Sequence, residues 1–445
     1  MILVIYGGGY NDEKSRRLTL MNGELSFKIN KEKLILLFLL SISVVNLITL
    51  ILATIIACLY LLATNSIPRG SVKALLFITI RAQFNSGIAV GYDSVSLLKW
   101  SFVLGLSLLC LLFSHYKNSS NNAFLISLTT FFAYVVIISF FNSGYPIISV
   151  FKAFSWYFVF VSVIIAVDNE DFNWLSYLSW FLNIIVLLSP FVSLTGMAFL
   201  RNGHAFQGLV NHPNMLGILT AIAFAINIYL VQTNTGIINK LVLPLCLIEC
   251  ILSESRTGVL CIAISIIIFF LYNINGGWKK TIAIAITVIG LILVFSFGFE
   301  SSIQDFFYKG QSANNWLYSR EGQIQNGFLK FERNPIIGSG FMVPINKYGK
   351  DYSLSFDLEV EPGNILLSLL GDVGILGLVL FFVCYLCLFV YMNKKKAILF
   401  FAPFLASMGE MIFFSTNSIA IVYYLIFAYC YTNSNTIASK KDIYD

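Results

Sequence analysis

Three stretches of this sequence hold charged and amide side chains beside long apolar runs. In ILSESRTGVL, residues 251–260, Glu254 and Arg256 stand in a short polar break. RNGHAFQGLVNHPNMLG, residues 201–217, offers Arg201, His204, Gln207, Asn211, His212 and Asn214 directly before an apolar run. SREGQIQNGFLKFERNPIIGSGF, residues 319–341, opens on Arg320. Guanidinium groups bind phosphate oxygens through paired, charge-assisted hydrogen bonds, so arginines in such places point to an anionic ligand. Plainer readings compete at each: an arginine snorkelling to lipid headgroups, an ordinary capped loop, and an arginine paired with a nearby acid.

The elements that must position these groups follow from composition. With 58% hydrophobic, 16% aromatic and 11% charged residues over 445 positions, the chain is excluded from the water-soluble globules. Apolar stretches of about 20 residues recur, and they lack the alternation of a membrane barrel. The expectation is an all-α polytopic membrane protein of about 12 transmembrane helices. Spans are expected near 34–64, 97–114, 123–141, 147–167, 174–194, 214–232, 238–255, 258–273, 281–298, 373–391, 397–414 and 417–432. They bound a cytoplasmic tail at 1–33, helices over 34–298, one large extracytoplasmic loop at 299–372, helices over 373–432 and a tail at 433–445.

The run 34–64 is too long for one upright helix; it is either tilted or a tight hairpin. In the hairpin case 74–91 must cross as well, raising the count to about 14. Arg81 lies in 74–91, and a charge at the bilayer centre costs about 2.5–3.5 kcal/mol, which favours an interfacial or re-entrant segment there. Most lysines and arginines, among them Lys14, Arg16, Arg17, Lys279, Lys280 and Lys394 to Lys396, fall on segments placed inside. The short outer loops hold Arg69, Lys73, Arg81, Arg201 and Arg256, so both termini are expected in the cytoplasm. Residues 1–33 show no signal peptide, and the first span is expected to anchor itself.

All eight cysteines fall in apolar spans and the three histidines lack ligand spacing, so no disulfide framework, metal site or cofactor is expected. The apolar runs 241–253 and 259–273 are short, about 20 Å each. Polar backbone at membrane depth is tolerated only where it lines a water-filled cavity or is buried in protein, which points Arg256 into an outward-facing cavity. Arg69, Lys73, Arg81, Lys99, Lys152, Arg201, Arg256 and Arg320 are expected on or near that outer half. Asn211 reads as a helix cap with Pro213 in the first turn. WLYSREGQIQNGFLKFE reads as an amphipathic helix whose face carries Leu317, Ile324, Phe328, Leu329 and Phe331.

Asn-His-Pro-Asn-x-Leu-Gly at 211–217, Ser-Glu-Ser-Arg-Thr-Gly at 253–258, Ser-Arg at 319–320 leading to Asn-Pro-Ile-Ile-Gly-Ser-Gly at 334–340, and GNILLSLLGDVGILG at 363–377 together resemble the O-antigen ligase and polymerase superfamily. Their order matches, as does the large outer loop, over roughly residues 190–390. The resemblance implies a large-loop membrane glycosyltransferase using glycans carried on undecaprenyl diphosphate, at the outer face of a bacterial inner membrane. It matches Arg256 and Arg320 to the arginines that hold the diphosphate; by residue type and position, Arg201 and Arg81 are expected as helpers and His204, Asn211, His212 and Asn214 as further substrate-binding candidates. Fixed arginines can stabilise a diphosphate leaving group without a metal.

Ligases of the superfamily commonly carry a histidine where this chain has Gly363, directly before Asn364. Its absence favours an O-antigen or capsular polymerase, with the ligase as alternative and a lipid-linked oligosaccharide flippase as the rival from another class. The general base stays open among Glu361, Glu359, Asp357, His204 and His212, with Glu361 placed among the catalytic candidates. Implied partners are the carrier-linked oligosaccharide, membrane lipid and a chain-length regulator protein; no nucleic acid is expected.

Overall fold

A break after Ile42 decides how the N-terminal apolar run folds. In the computed structural model, which describes residues 30–114, 122–199, 205–232, 236–273, 277, 281, 321–344, 363–416 and 418–432, helix α1 (Lys31–Ile42) ends there and α2 (Leu47–Thr64) begins five residues on. Asn46 enforces the restart. Its Oδ1 accepts from the Thr49 amide at 2.8 Å while Thr49 Oγ1 accepts from the Asn46 amide at 3.0 Å, a reciprocal cap. The pair is therefore the hairpin alternative.

Helix α3 (Ile67–Ala82) then runs back through the interior, with every residue from Gly70 to Arg81 buried. This corrects the interfacial or re-entrant reading of 74–91. It also moves two cations. Lys73 Nζ donates to both Glu32 carboxylate oxygens at 2.9 Å and to Asn65 Oδ1 at 2.8 Å, and Arg69 pairs with Glu170 at 2.7 Å. Arg69 and Lys73 thus lie at the end of the bundle that holds the start of α1, opposite Arg81. The hairpin adds a passage before residue 65, which is the physical reason these two do not share one end with Arg81, contrary to expectation.

The chain continues through α4 (Ser96–Phe113), α5 (Asn122–Asn142), α6 (Pro146–Asn169), α7 (Trp174–Val192), α8 (Pro213–Gln232), α9 (Ile237–Leu252) and α10 (Arg256–Asn273). After the undescribed stretch come α11 (Glu321–Arg333), α12 (Ile365–Tyr391), α13 (Ala397–Ala406) and α14 (Ala420–Thr432). The expected span 281–298 and most of the loop 299–372 lie outside the described residues. No strand occurs among the described residues, only isolated bridges such as Phe84 with Val210. Among the described residues seven helices are long and apolar enough to cross a membrane and all regular structure is helical, as in a polytopic membrane protein.

The expected helix over 397–414 stops early. Pro403 lies inside α13, and Ser407 to Ser415 follow as turns. These turns stay inside the protein: Phe413 and Phe414 are buried against Trp156 and Phe381, and the Tyr424 hydroxyl donates to the Phe413 carbonyl at 2.9 Å. Non-helical backbone in an apolar segment survives because protein, not lipid, surrounds it. Between α7, α8 and α9 an amide network of Asn183, Asn227, Asn239 and Ser179 ties the helices by hydrogen bonds of 2.7–3.3 Å.

Candidate functional site

Arg256 is the first residue of α10, and its position is set by the turn before it. Glu254 takes a left-handed conformation (φ 54°), one of two non-glycine residues to do so among those described. Ser255 caps the helix: its Oγ accepts from the Gly258 amide at 3.3 Å and its carbonyl accepts from Val259 at 3.0 Å. Around this first turn the backbones press together. A methyl group on Gly258 would stand 2.6 Å from the Gly217 carbonyl oxygen of α8, and one on Gly409 would stand 1.9 Å from Thr257 Oγ1. Glycine at these positions brings the starts of α8 and α10 and the 407–410 turn into one cluster, with Arg256 half-buried at its rim.

Helix α8 enters the cluster through the Asn-His-Pro-Asn stretch. The cap is His212, not Asn211: His212 Nδ1 accepts from the Asn214 amide at 3.2 Å and its carbonyl from Leu216 at 3.0 Å. Asn211 is drawn elsewhere by the bridge between Phe84 and Val210, donating its amide to the Gln83 carbonyl at 2.8 Å and accepting at Oδ1 from Ser86 at 3.3 Å. Asn214 Nδ2 donates to Glu410 Oε1 at 2.9 Å. Helix α12 joins at the same turn, since Asn364 donates to the Met408 carbonyl at 2.9 Å while its Oδ1 caps the helix, and the Ile365 amide donates to Ser407 at 3.0 Å. Three helix N-termini and Arg256 bring positive charge to a cluster that also holds the Glu254 and Glu410 carboxylates, and the cationic groups can meet an anion.

Arg81 has a different task. It is fully buried, and its guanidinium donates to Ser43 Oγ (2.6 Å), the Ser43 carbonyl (2.8 Å) and the Val90 carbonyl (2.7 Å). It fastens the α1–α2 turn to the segment after α3, whose Gln83 to Ser86 stretch holds Asn211. With no exposed face it is a buttress rather than a substrate-binding helper. Gln207 is likewise turned inward, onto the Met197 carbonyl at 3.1 Å. Arg201, His204, Arg320 and Glu361, together with Asp357 and Glu359, lie outside the described residues.

A second polar centre lies where the 334–343 stretch meets α12. Gly374 (φ 69°) breaks that helix, and the freed groups are taken up by the Asn-Pro-Ile-Ile-Gly-Ser-Gly stretch: Ile375 and Leu376 donate to Pro335 and Ile336, while Gly371 and Asp372 accept from Ser339 and Gly340, all at 3.0–3.1 Å. Lys330 of α11 reaches in to pair with Asp372 Oδ1 and donates to the Gly340 and Val343 carbonyls at 2.7 and 2.8 Å. Asp372 Oδ2 accepts from the Met342 amide at 2.9 Å and Ser368 Oγ at 3.1 Å. From α6, Lys152 Nζ donates to the Met342 carbonyl at 3.0 Å. The side of α11 that docks carries Gly327 and Lys330; of the expected apolar face, Phe328 and Leu329 are exposed while Ile324 and Phe331 are half-buried and Leu317 lies outside the described residues.

Residues 241–382, which hold α9, α10, α11 and the broken part of α12, match the family model described as O-antigen ligase. The chain carries a domain of the O-antigen polymerase and ligase superfamily. No curated protein matches the chain. Within this domain lie Arg256, the Lys330–Asp372 pair and the Gly374 break; Asn214 and Glu410 approach it from outside its bounds. Superfamily members are glycosyltransferase-like enzymes, polymerases or ligases. Sequence reasoning missed two functional features. Asp372 sits inside the quoted GDVGILG motif, but its partner is 42 positions away. Glu410 falls inside the expected span 397–414, and the Asn214 bond that gives it an address spans 196 positions.

Proposed function

We propose that this protein is an O-antigen or capsular polysaccharide polymerase. It transfers the growing glycan from undecaprenyl diphosphate to the non-reducing end of the next lipid-linked repeat, at the outer face of the bacterial inner membrane. The observation that carries this reading is the superfamily domain at 241–382, whose half-buried polar turn at 253–256 delivers Arg256 to a cluster of three helix N-termini. A departing diphosphate gathers negative charge, and a fixed guanidinium with helix N-termini stabilises it more in the transition state than in the ground state. Arg320 is the second diphosphate-binding candidate. Gly363, standing where ligases of the superfamily commonly carry a histidine, is the reason for preferring polymerase over ligase.

In this mechanism the acceptor hydroxyl attacks the anomeric carbon, and the bond from that carbon to the diphosphate oxygen breaks. The clasp of Lys330 and Asp372 fixes α11 and the 340–343 stretch against α12. The test is the glycan profile of a strain lacking the gene, complemented with wild type or Arg256→Ala. A null strain and variant showing acceptor with a single repeat, against a full ladder for wild type, support the polymerase. Bare acceptor with long polymer left on the carrier lipid replaces it with the ligase, and repeats trapped inside the cell replace it with the flippase.

A further inference from the structure

A sugar hydroxyl that attacks an anomeric carbon must give up its proton, and general bases within hydrogen-bond reach supply about 100–10,000-fold in rate. The described residues at the Arg256 end offer few groups for this. Asp372 is buried with both oxygens bound, one to Lys330 and one to Met342 and Ser368. His212 uses Nδ1 to accept from the Asn214 amide, which puts the neutral ring's proton on Nε2 and occupies its one acceptor nitrogen. Glu249 is buried on α9, closed to a sugar. Glu254 and Glu410 remain. Glu254 is on the turn leading into Arg256, whereas Glu410 is bound from α8 by Asn214 at 2.9 Å and follows Gly409, which lies against the first turn of α10 at Thr257.

We infer that Glu410 is the carboxylate that takes the acceptor proton. The inference rests on the proposed glycosyl transfer and adds to it the missing base. Two independent elements fix the side chain: the turn that carries it is held by Asn364 and Ile365 of α12, and the carboxylate itself by Asn214 of α8. It is only half-buried, so a sugar hydroxyl can reach it. As the new carbon–oxygen bond forms, the hydroxyl proton passes to Glu410. The electron pair of the breaking bond leaves on the diphosphate beside Arg256, and the carboxyl later returns its proton to solvent. Acid and guanidinium then act on opposite partners of one displacement.

The test uses the full chain in lipid vesicles with a synthetic polyprenyl-diphosphate-linked repeat, comparing wild type, Glu410→Gln, Glu410→Ala and Glu254→Gln. Glutamine keeps an acceptor oxygen for Asn214 and the side-chain volume, so it preserves any purely structural role. The expected result for Glu410→Gln is a kcat lower by about 100-fold or more with KM within about threefold, and partial rescue of Glu410→Ala by added formate. Glu254→Gln, on the turn that positions Arg256, lowers kcat at least about tenfold less than Glu410→Gln, and a loss at Glu254→Gln equal to or greater than that at Glu410→Gln overturns the inference. Glu410→Gln within about fivefold of wild type overturns the inference, as does a loss carried wholly by KM. A wild-type protein that lengthens no glycan removes the polymerase reading itself and the inference with it.

Discussion

Two polar centres share one end of this molecule, and each is built from one cation and one acid beside close-packed glycines. In the clasp, Lys330 and Asp372 are 8% and 5% exposed and every one of their bonds stays within the protein. In the cluster, Arg256 and Glu410 are half-buried, on turns where three helices begin. Burying a charge is costly unless it is fully paired, so a closed pair such as the clasp fixes structure. Charges left at a partly open rim are placed to meet something from outside. Under the proposed function the same charge types serve architecture in one place and chemistry in the other, and enclosure separates the two.

The largest effect should come from opening the clasp. Asp372→Asn strands the Lys330 ammonium in the interior at a cost of about 3–5 kcal/mol, read as loss of folded protein from the membrane fraction and a lower Tm. The double variant Lys330→Met with Asp372→Leu should recover most of that loss; a single change that leaves Tm untouched would make the clasp no different from the cluster. Arg256→Ala should do the reverse, lowering turnover about 100–1,000-fold while the amount and Tm of the protein stay at wild-type level. Arg256→Lys, which keeps charge without the planar fork, should fall between.

Smaller effects probe how the cluster is assembled. Gly258→Ala pushes a methyl group to 2.6 Å from the Gly217 carbonyl oxygen and should cost about 1–3 kcal/mol in stability, seen as a lower Tm with turnover reduced alongside it. Asn214→Ala deletes one bond to Glu410, about 1 kcal/mol, and should slow transfer roughly fivefold with Tm nearly unchanged. An Asn214→Ala protein that loses its fold instead would mean the cluster, like the clasp, is chiefly structural.

Much of the architecture is legible in the sequence because apolar length and polar breaks are local signals. Placing Arg256 on a turn between two short helices needed only the Ser-Glu-Ser-Arg-Thr break, and α9 does end at Leu252 with α10 starting at Arg256. The end of the bundle to which Arg69 and Lys73 belong was not legible, since it depends on whether Asn46 restarts a helix inside a continuous apolar run. Arg81 looked like a site residue by type alone; only its burial and its bonds to Ser43 and Val90 reveal a fastening role. The exchange of capping roles between Asn211 and His212 follows from the bridge between Phe84 and Val210, a contact between distant segments that periodicity cannot show. Long-range pairing, not residue type, carries what the sequence withheld.

The most direct measurement is the length of glycan made by purified full-length protein in lipid vesicles from a polyprenyl-diphosphate-linked repeat, resolved by mass spectrometry. Wild type and the Lys330→Met, Asp372→Leu double variant should both join repeats and release free polyprenyl diphosphate, while Arg256→Ala leaves single repeats on the carrier. Joining that continues unchanged without Arg256, or that stops only when the clasp is replaced, would contradict the division of this end into a structural pair and a reacting one.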